Sequence, residues 1–158
     1  MQTDTVSIEQ FISANQISMT ADRVDANPNM QDSRDMDHWK VTLVRLVLRE
    51  GYDTFHGYKG KLGPHQYRKE RLTTYFSKGY GHNGAKPTAE EVLDCLASDA
   101  GTVENTPDFE DFCSEFGYDS DSRKAEKTWK AIQHSASRLR NFLGDDLFDR
   151  LVWHTERA

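Results

Sequence analysis

The chain of 158 residues has little cysteine, little proline and no long apolar run. Its two cysteines, Cys95 and Cys113, are too few for a disulfide framework and are typical of the free thiols of a cytosolic protein. The longest apolar stretch, residues 41–48, is interrupted by Thr42 and Arg45, which excludes a transmembrane helix. The first residues lack the basic segment and the apolar run of a signal peptide. We therefore expect no secretory signal and a cytoplasmic location.

Hydrophobic residues are scarce at 36%, and aromatic residues make up 11% of the chain as 3 Trp, 6 Tyr and 8 Phe. These large rings can bury enough surface for a compact core, which excludes a wholly disordered chain. The length fits one folding unit, and we predict a single domain over residues 1–158.

Alternation of apolar and polar residues predicts three antiparallel strands, at residues 17–21, 39–43 and 72–76, within a sheet region at 16–78. After Leu43 the alternation slips, which leaves either a bulge or a sheet covered on both faces. The last two strands are separated by residues 49–70, which are rich in glycine and tyrosine and are predicted to form a long loop.

Helix signals surround this sheet. A short helix at 7–14 is predicted within an N-terminal arm, residues 1–15, and a helical layer is predicted over residues 88–154. Its helices begin at Thr88, at Pro107 and near Ser122, and a short helix ends the layer. We predict an α+β fold with a three-stranded antiparallel sheet packed against a C-terminal layer of three to four helices. The stripe of the longest helix, Trp129, Ile132, Ala136 and Leu139, is expected to pack on Trp39, Val41 and Leu43.

Charge is distributed unevenly along the chain, although the net charge is only -6. Residues 1–39 carry -5, residues 40–86 carry +7, residues 88–121 carry -11 and residues 122–158 carry +3. The acidic segment 88–121 contains 11 acids and no lysine or arginine. Such asymmetry predicts electrostatic partners.

The acidic segment is predicted to form a partner-binding surface, because its helices bury their apolar stripes and turn their acids outward together. Such a surface can imitate a DNA backbone or dock on a basic groove of a host protein or nucleoprotein complex. A purely solubilising face is the alternative interpretation. The predicted surface consists of Glu90, Glu91, Asp94, Asp99, Glu104, Asp108, Glu110, Asp111 and Glu115.

The basic hairpin, residues 45–86, gives a second hypothesis, because cations interleave there with tyrosine and phenylalanine. Cations bind phosphates and rings stack on bases, so this composition is typical of a nucleic-acid surface. The alternative is that these cations only balance the acidic segment of the same chain. The candidate cations are Arg45, Arg49, Lys59, Lys61, Arg68, Lys69, Arg71 and Lys78.

No motif indicates a catalytic, cofactor or metal site. Residues 79–84 match G-x-G-x-x-G, but no second parallel strand follows, and Glu90 and Glu91 at the next helix start would repel a phosphate. Cys95 and Cys113 lack the paired spacing of zinc ligands. We therefore expect a non-enzymatic protein without cofactor or metal. A small enzyme with an unrecognised site is a third hypothesis.

Several stretches resemble a family of small bacteriophage and prophage proteins, most of them without an assigned function. The resemblance covers residues 19–144 and rests on segments 27–30, 36–42, 75–79, 87–100, 109–113 and 116–126, with PTAEEVLDCLASDA, FEDFC and FGYDSDSRKAE the most specific. It implies a protein that acts in the cytoplasm of a bacterial host during infection. It also implies, by analogy with small acidic phage proteins, inhibition of a host defence system, of the anti-CRISPR or anti-restriction type. In the members of that family, the loop that joins the second and third strands is short. Residues 46–70 of this chain are therefore predicted to be an insertion.

Overall fold

The structure is a computed structural model that describes residues 5–28, 36–49, 66–79 and 85–156. The described residues form five strands and five helices. The strands are β1 (Val6–Ser7), β2 (Ile17–Val24), β3 (Met36–Leu48), β4 (Tyr67–Gly79) and β5 (Thr155–Glu156). The helices are α1 (Ile8–Ala14), α2 (Ala89–Asn105), α3 (Phe109–Phe116), α4 (Arg123–Leu143) and α5 (Asp145–Trp153). Their order along the chain is β1, α1, β2, β3, β4, α2, α3, α4, α5 and β5.

The sheet has the order β2-β3-β4, and both pairings are antiparallel. Met19, Leu43 and Leu72 are cross-strand neighbours, and the row lies on the face covered by helices. Pairing continues from Leu43 to Leu48 without a bulge. The apolar residues after Leu43 therefore alternate between the two faces, and those facing away from the helices are half-buried. The predicted α+β fold is confirmed.

The connection between β3 and β4 is shorter than predicted. Strand β3 ends at Leu48 and β4 begins at Tyr67, so residues 67–70 belong to a strand and not to the predicted loop 49–70. Residues 67–71 place charged side chains on both faces, which hides the strand alternation from sequence analysis. The insertion of residues 46–70 stays a prediction, and residues 50–65 lie outside the described part of the chain.

The predicted helix starts are largely correct, because their caps are local. Ser7 with Gln10 and Thr88 with Glu91 form capping boxes at α1 and α2, and Ser122 caps α4. Gly117 ends α3 with φ of 74°, a left-handed conformation that favours glycine. The start of α3 was predicted two residues too early: Asp108 is its N-cap and Phe109 its first residue, so Pro107 precedes the helix.

Two apolar clusters hold the helices in place. The larger one joins the sheet residues Trp39, Val41 and Leu43 to α2, α4 and α5, and Leu139 of α4 is fully buried in it. The smaller cluster consists of Phe112, Cys113, Ala125 and Trp129, with Ile132 packed against it. The predicted docking of Trp129 and Ile132 on the sheet is therefore wrong, because the first half of α4 packs on α3 instead.

The two chain ends meet where β1 pairs with β5 in parallel, with Val6 opposite Thr155. In the described residues, every helix is too short or too polar to cross a membrane.

Candidate partner-binding surface

Helices α2 and α3 carry the predicted acidic residues. On α2, one face buries Val92, Leu93, Leu96, Ala97 and Ala100 against the core, and on α3 Phe112 and Cys113 are buried. The helical period then directs most of the remaining positions to the surface. The acids of the two helices nevertheless fall into three groups with different surroundings.

The first group is exposed and unpaired. Glu90, Glu110, Asp111 and Glu115 are exposed, and none of them forms an ion pair with the described residues. We call them the four exposed acids. Because no cation of the described chain neutralises them, their charge is available to an external partner.

The second group stabilises the fold. Glu91 lies 3.0 Å from Lys78 Nζ and accepts a hydrogen bond from the Thr88 backbone N–H. Burial raises the pKa of Glu91, but the hydrogen bonds from Lys78 and Thr88 outweigh it, so the pKa is lowered overall. Glu104 pairs with Arg140 at 2.9 Å, and Asp108 accepts from the Asp111 backbone N–H as the α3 N-cap. Asp94 is partly buried.

Asp99 differs from the other acids, because it lies on the flank of α2 that faces α4. Its carboxylate lines a cavity together with Ser135 and Cys95. Burial raises the pKa of Asp99, and the nearby Ser135 hydroxyl acts in the opposite direction. Burial and the charges of Asp99 and Asp94 raise the pKa of the Cys95 thiol to about 11. Asp99 therefore belongs to an interior groove and not to the outer acidic surface.

An exposed aromatic ring lies beside the acids. The sequence places Phe116 on the buried stripe of α3, but it is 51% exposed, and its ring centroid is 5.1 Å from that of Phe112. Helix α3 packs on α4 mainly through Phe112, whose ring lies 4.9 Å from that of Trp129. Phe116 directly follows Glu115 in the sequence, so a half-exposed ring is next to one of the four exposed acids.

Several cations of the predicted basic hairpin make contacts within the chain. Arg45 donates to the carbonyl oxygens of Phe142 and Leu143, and Arg49 donates to that of Tyr67. Arg68 pairs with Glu70 on its own strand, and Lys78 pairs with Glu91. Lys69 and Arg71 are exposed and lie on the same face of β4. Lys59 and Lys61 lie outside the described residues.

A groove between β4 and α4 was not predicted from the sequence. An inner cavity of about 300 Å³ lies at its Asp99 end, and a middle cavity of about 350 Å³ adjoins it. The middle cavity is lined by Lys127, Lys130, His134 and Arg138 of α4. Their spacing of 3, 4 and 4 residues is a helical stripe that sequence analysis could have found.

A polar cluster was also missed. The His38 Nδ1 and Ser77 Oγ atoms are 2.6 Å apart, and the Asn27 side-chain amide donates to the same Ser77 oxygen at 2.9 Å. Both His38 and Asn27 are buried, so the cluster ties the end of β2 to β3 and β4. Among the described residues, no group of three His, Cys, Asp or Glu side chains could hold a metal ion.

Comparison with known proteins identifies no relative, since no family model, curated protein or solved structure matches the chain.

Proposed function

We propose that the chain is a non-enzymatic phage or prophage protein that binds a host macromolecular complex through its acidic helical surface. In this proposal it acts in the bacterial cytoplasm and inhibits a host defence system, of the anti-CRISPR or anti-restriction type. The observation that carries the proposal is that the four exposed acids of α2 and α3 have no ion-pair partner among the described residues.

Unpaired charge distinguishes a binding surface from an internally balanced one. If the basic segment of the chain served to neutralise the acidic segment, its exposed cations would pair with these acids. Lys78 of the basic hairpin and Arg140 of α4 pair with Glu91 and Glu104, and they leave the four exposed acids without an ion pair among the described residues. Exposed and unpaired acids attract a basic partner from a distance and accelerate association.

Phe116 adds an exposed apolar side chain to the acidic surface. Interfaces depend on a few large side chains that become fully desolvated, surrounded by polar residues at the rim. A half-exposed phenylalanine beside Glu115 fits that pattern, and its burial by a partner would add hydrophobic stabilisation to the electrostatic attraction. The phage origin and the host defence target rest on the sequence resemblance alone.

The binding step is tested with immobilised protein and an extract of bacteria that express a CRISPR or restriction complex. One variant neutralises the four exposed acids: Glu90→Gln, Glu110→Gln, Asp111→Asn and Glu115→Gln. We expect the wild type to retain the defence complex and this variant to lose it. Raising the salt concentration from about 0.05 M to about 0.5 M should also release the complex from the wild type, because screening shortens the reach of the charges.

A matched control removes the same charge elsewhere. Glu9→Gln, Asp22→Asn, Asp25→Asn and Asp146→Asn change exposed acids outside α2 and α3. This control should retain the complex as the wild type does. Equal retention by both variants would contradict the acidic-surface proposal, and equal loss would mean that net charge alone governs binding.

A further inference from the structure

The groove between β4 and α4 combines two kinds of surface. Strand β4 lies at the edge of the sheet, and α4 runs beside it. The inner and middle cavities share Thr74, Ala131 and Ser135 in their walls, so they lie next to each other. Their volumes of about 300 and 350 Å³ are in the range of small-molecule sites.

The inner cavity suits a flat ring that carries hydrogen-bond donors. Its walls include Phe76, Leu96 and Ile132, which offer apolar contact. The Asp99 carboxylate is an acceptor there. The Ser135 hydroxyl lies beside this carboxylate, but its oxygen is fully buried, so a ligand in the cavity does not reach it.

The middle cavity suits an anion. Lys127, Lys130, His134 and Arg138 line it, and no carboxylate lines it. Lys130 is paired with Glu126 at 3.0 Å, whereas Lys127 and Arg138 form no ion pair within the described chain. Lysine and arginine side chains gathered on one cavity are the groups that bind phosphate.

The geometry points to a nucleoside phosphate as the ligand of this groove, with its base in the inner cavity and its phosphate in the middle cavity. The base donates an amino group to Asp99 and lies against Phe76, Leu96 and Ile132. The phosphate lies against Lys127 and Arg138. This site is distinct from the outer acidic surface and does not depend on the proposed inhibition of host defence.

Simpler ligands satisfy only half of the groove. A basic side chain would fit Asp99 but would be repelled by Lys127 and Arg138. An inorganic anion would fit the cations but would leave the apolar inner cavity empty. A nucleoside phosphate satisfies both ends, whether it is a free nucleotide or part of a single-stranded nucleic acid.

Calorimetric titration of the full chain tests the assignment with GMP, AMP, CMP, UMP, inorganic phosphate and a short single-stranded oligonucleotide of mixed sequence. We expect saturable binding of the nucleotides whose bases carry an amino group, and weaker binding of UMP and phosphate. Binding of the mononucleotides identifies the free nucleotide as the source. Binding of the oligonucleotide alone identifies a nucleic-acid strand.

Variants locate the site. Asp99→Asn should weaken GMP, or the oligonucleotide if that alone binds, by about tenfold or more, because a charge-assisted hydrogen bond is lost. Lys127→Gln with Arg138→Gln should do the same. Arg123→Gln with Lys124→Gln removes equal charge from exposed positions of α4 that line neither cavity, and should leave binding unchanged.

A second readout does not depend on calorimetry. Cys95 lines the inner cavity, so a bound nucleotide or oligonucleotide should slow alkylation of its thiol. The assignment is overturned if nothing binds, if inorganic phosphate binds as tightly as the best nucleotide, or if the groove variants bind as the wild type does. Thermal melting of each variant confirms that any loss of binding occurs in a folded protein.

Discussion

Arg45 of β3 donates hydrogen bonds from Nε and Nη2 to the carbonyl oxygen of Phe142, at 3.1 and 2.8 Å. The last carbonyl groups of a helix lack partners within the helix, and a positive charge is favourable there. Burial, together with the charge of Arg68, lowers the pKa of Arg45, which is the cost of placing this cation between the sheet and α4. A residue that sequence analysis assigned to a nucleic-acid surface therefore fastens the longest helix to the sheet.

Replacing Arg45 should destabilise the fold. Arg45→Ala leaves the carbonyl groups of Phe142 and Leu143 without this donor, and we expect the free energy of unfolding to fall by about 1.5–3 kcal/mol. Urea denaturation followed by circular dichroism measures the change. Lys69→Ala, on the exposed side of β4, should stay within about 0.5 kcal/mol of the wild type. If the two variants are equally stable, the contact with α4 contributes nothing.

Trp129 should matter for α3 and not for the sheet. It is 6% exposed and packs on Phe112, so Trp129→Ala should cost about 3–5 kcal/mol in chemical denaturation. In hydrogen exchange at low denaturant, α3 should lose protection before β3 does. A cost below about 1 kcal/mol, or simultaneous loss of protection in α3 and β3, would contradict the division into two clusters.

The sequence predicts a structural feature well when the residues that produce the feature are close together in the chain. A capping box needs four residues, so the starts of α1 and α2 were predicted correctly from Ser7, Gln10, Thr88 and Glu91. The strands were found where apolar residues alternate, and their ends were missed where β4 carries charge on both faces.

The sites depend on contacts that no local pattern encodes. Asp99 and Ser135 are 36 residues apart in sequence and meet only because α2 packs on α4. Phe116 shares the helical stripe of Phe112, yet α3 lies at the margin of the fold, so one ring is buried and the other is half-exposed. The position of a helix in the fold decides which part of its apolar stripe becomes a surface.

Asp99 should make stability depend on pH. Because its pKa is raised in the folded state, the folded protein binds this proton more tightly than the unfolded chain does. The stabilising effect is complete at a pH below 3.8, the ordinary pKa of the carboxyl group. It is lost as the pH rises through the raised pKa of Asp99 in the folded protein. The melting temperature of Asp99→Asn should therefore rise relative to that of the wild type as the pH is raised from acid to neutral. Asp22→Asn, on the exposed side of β2, is the control. A difference between Asp99→Asn and the wild type that does not change with pH would contradict the burial of this carboxylate.

Cys95 should be a slow nucleophile. Its pKa of about 11, against an ordinary 9.0, leaves about 100-fold less thiolate near pH 8. Alkylation by iodoacetamide, followed by mass spectrometry, should accelerate with pH up to about 11. Cys113 is buried, and a Cys113→Ser variant isolates the signal of Cys95. A rate that levels off near pH 9 would contradict the raised pKa of this thiol and its cause, burial beside Asp99 and Asp94.

The most direct test of the acidic surface is phage plaquing on bacteria that carry an active CRISPR or restriction system and express the chain. We predict that the wild type and the Glu9, Asp22, Asp25 and Asp146 control restore plaquing, whereas the variant that neutralises Glu90, Glu110, Asp111 and Glu115 does not. Equal levels of folded protein must be verified in each strain. Full restoration of plaquing by the variant lacking the four exposed acids, or no restoration by the wild type, would contradict the proposed function.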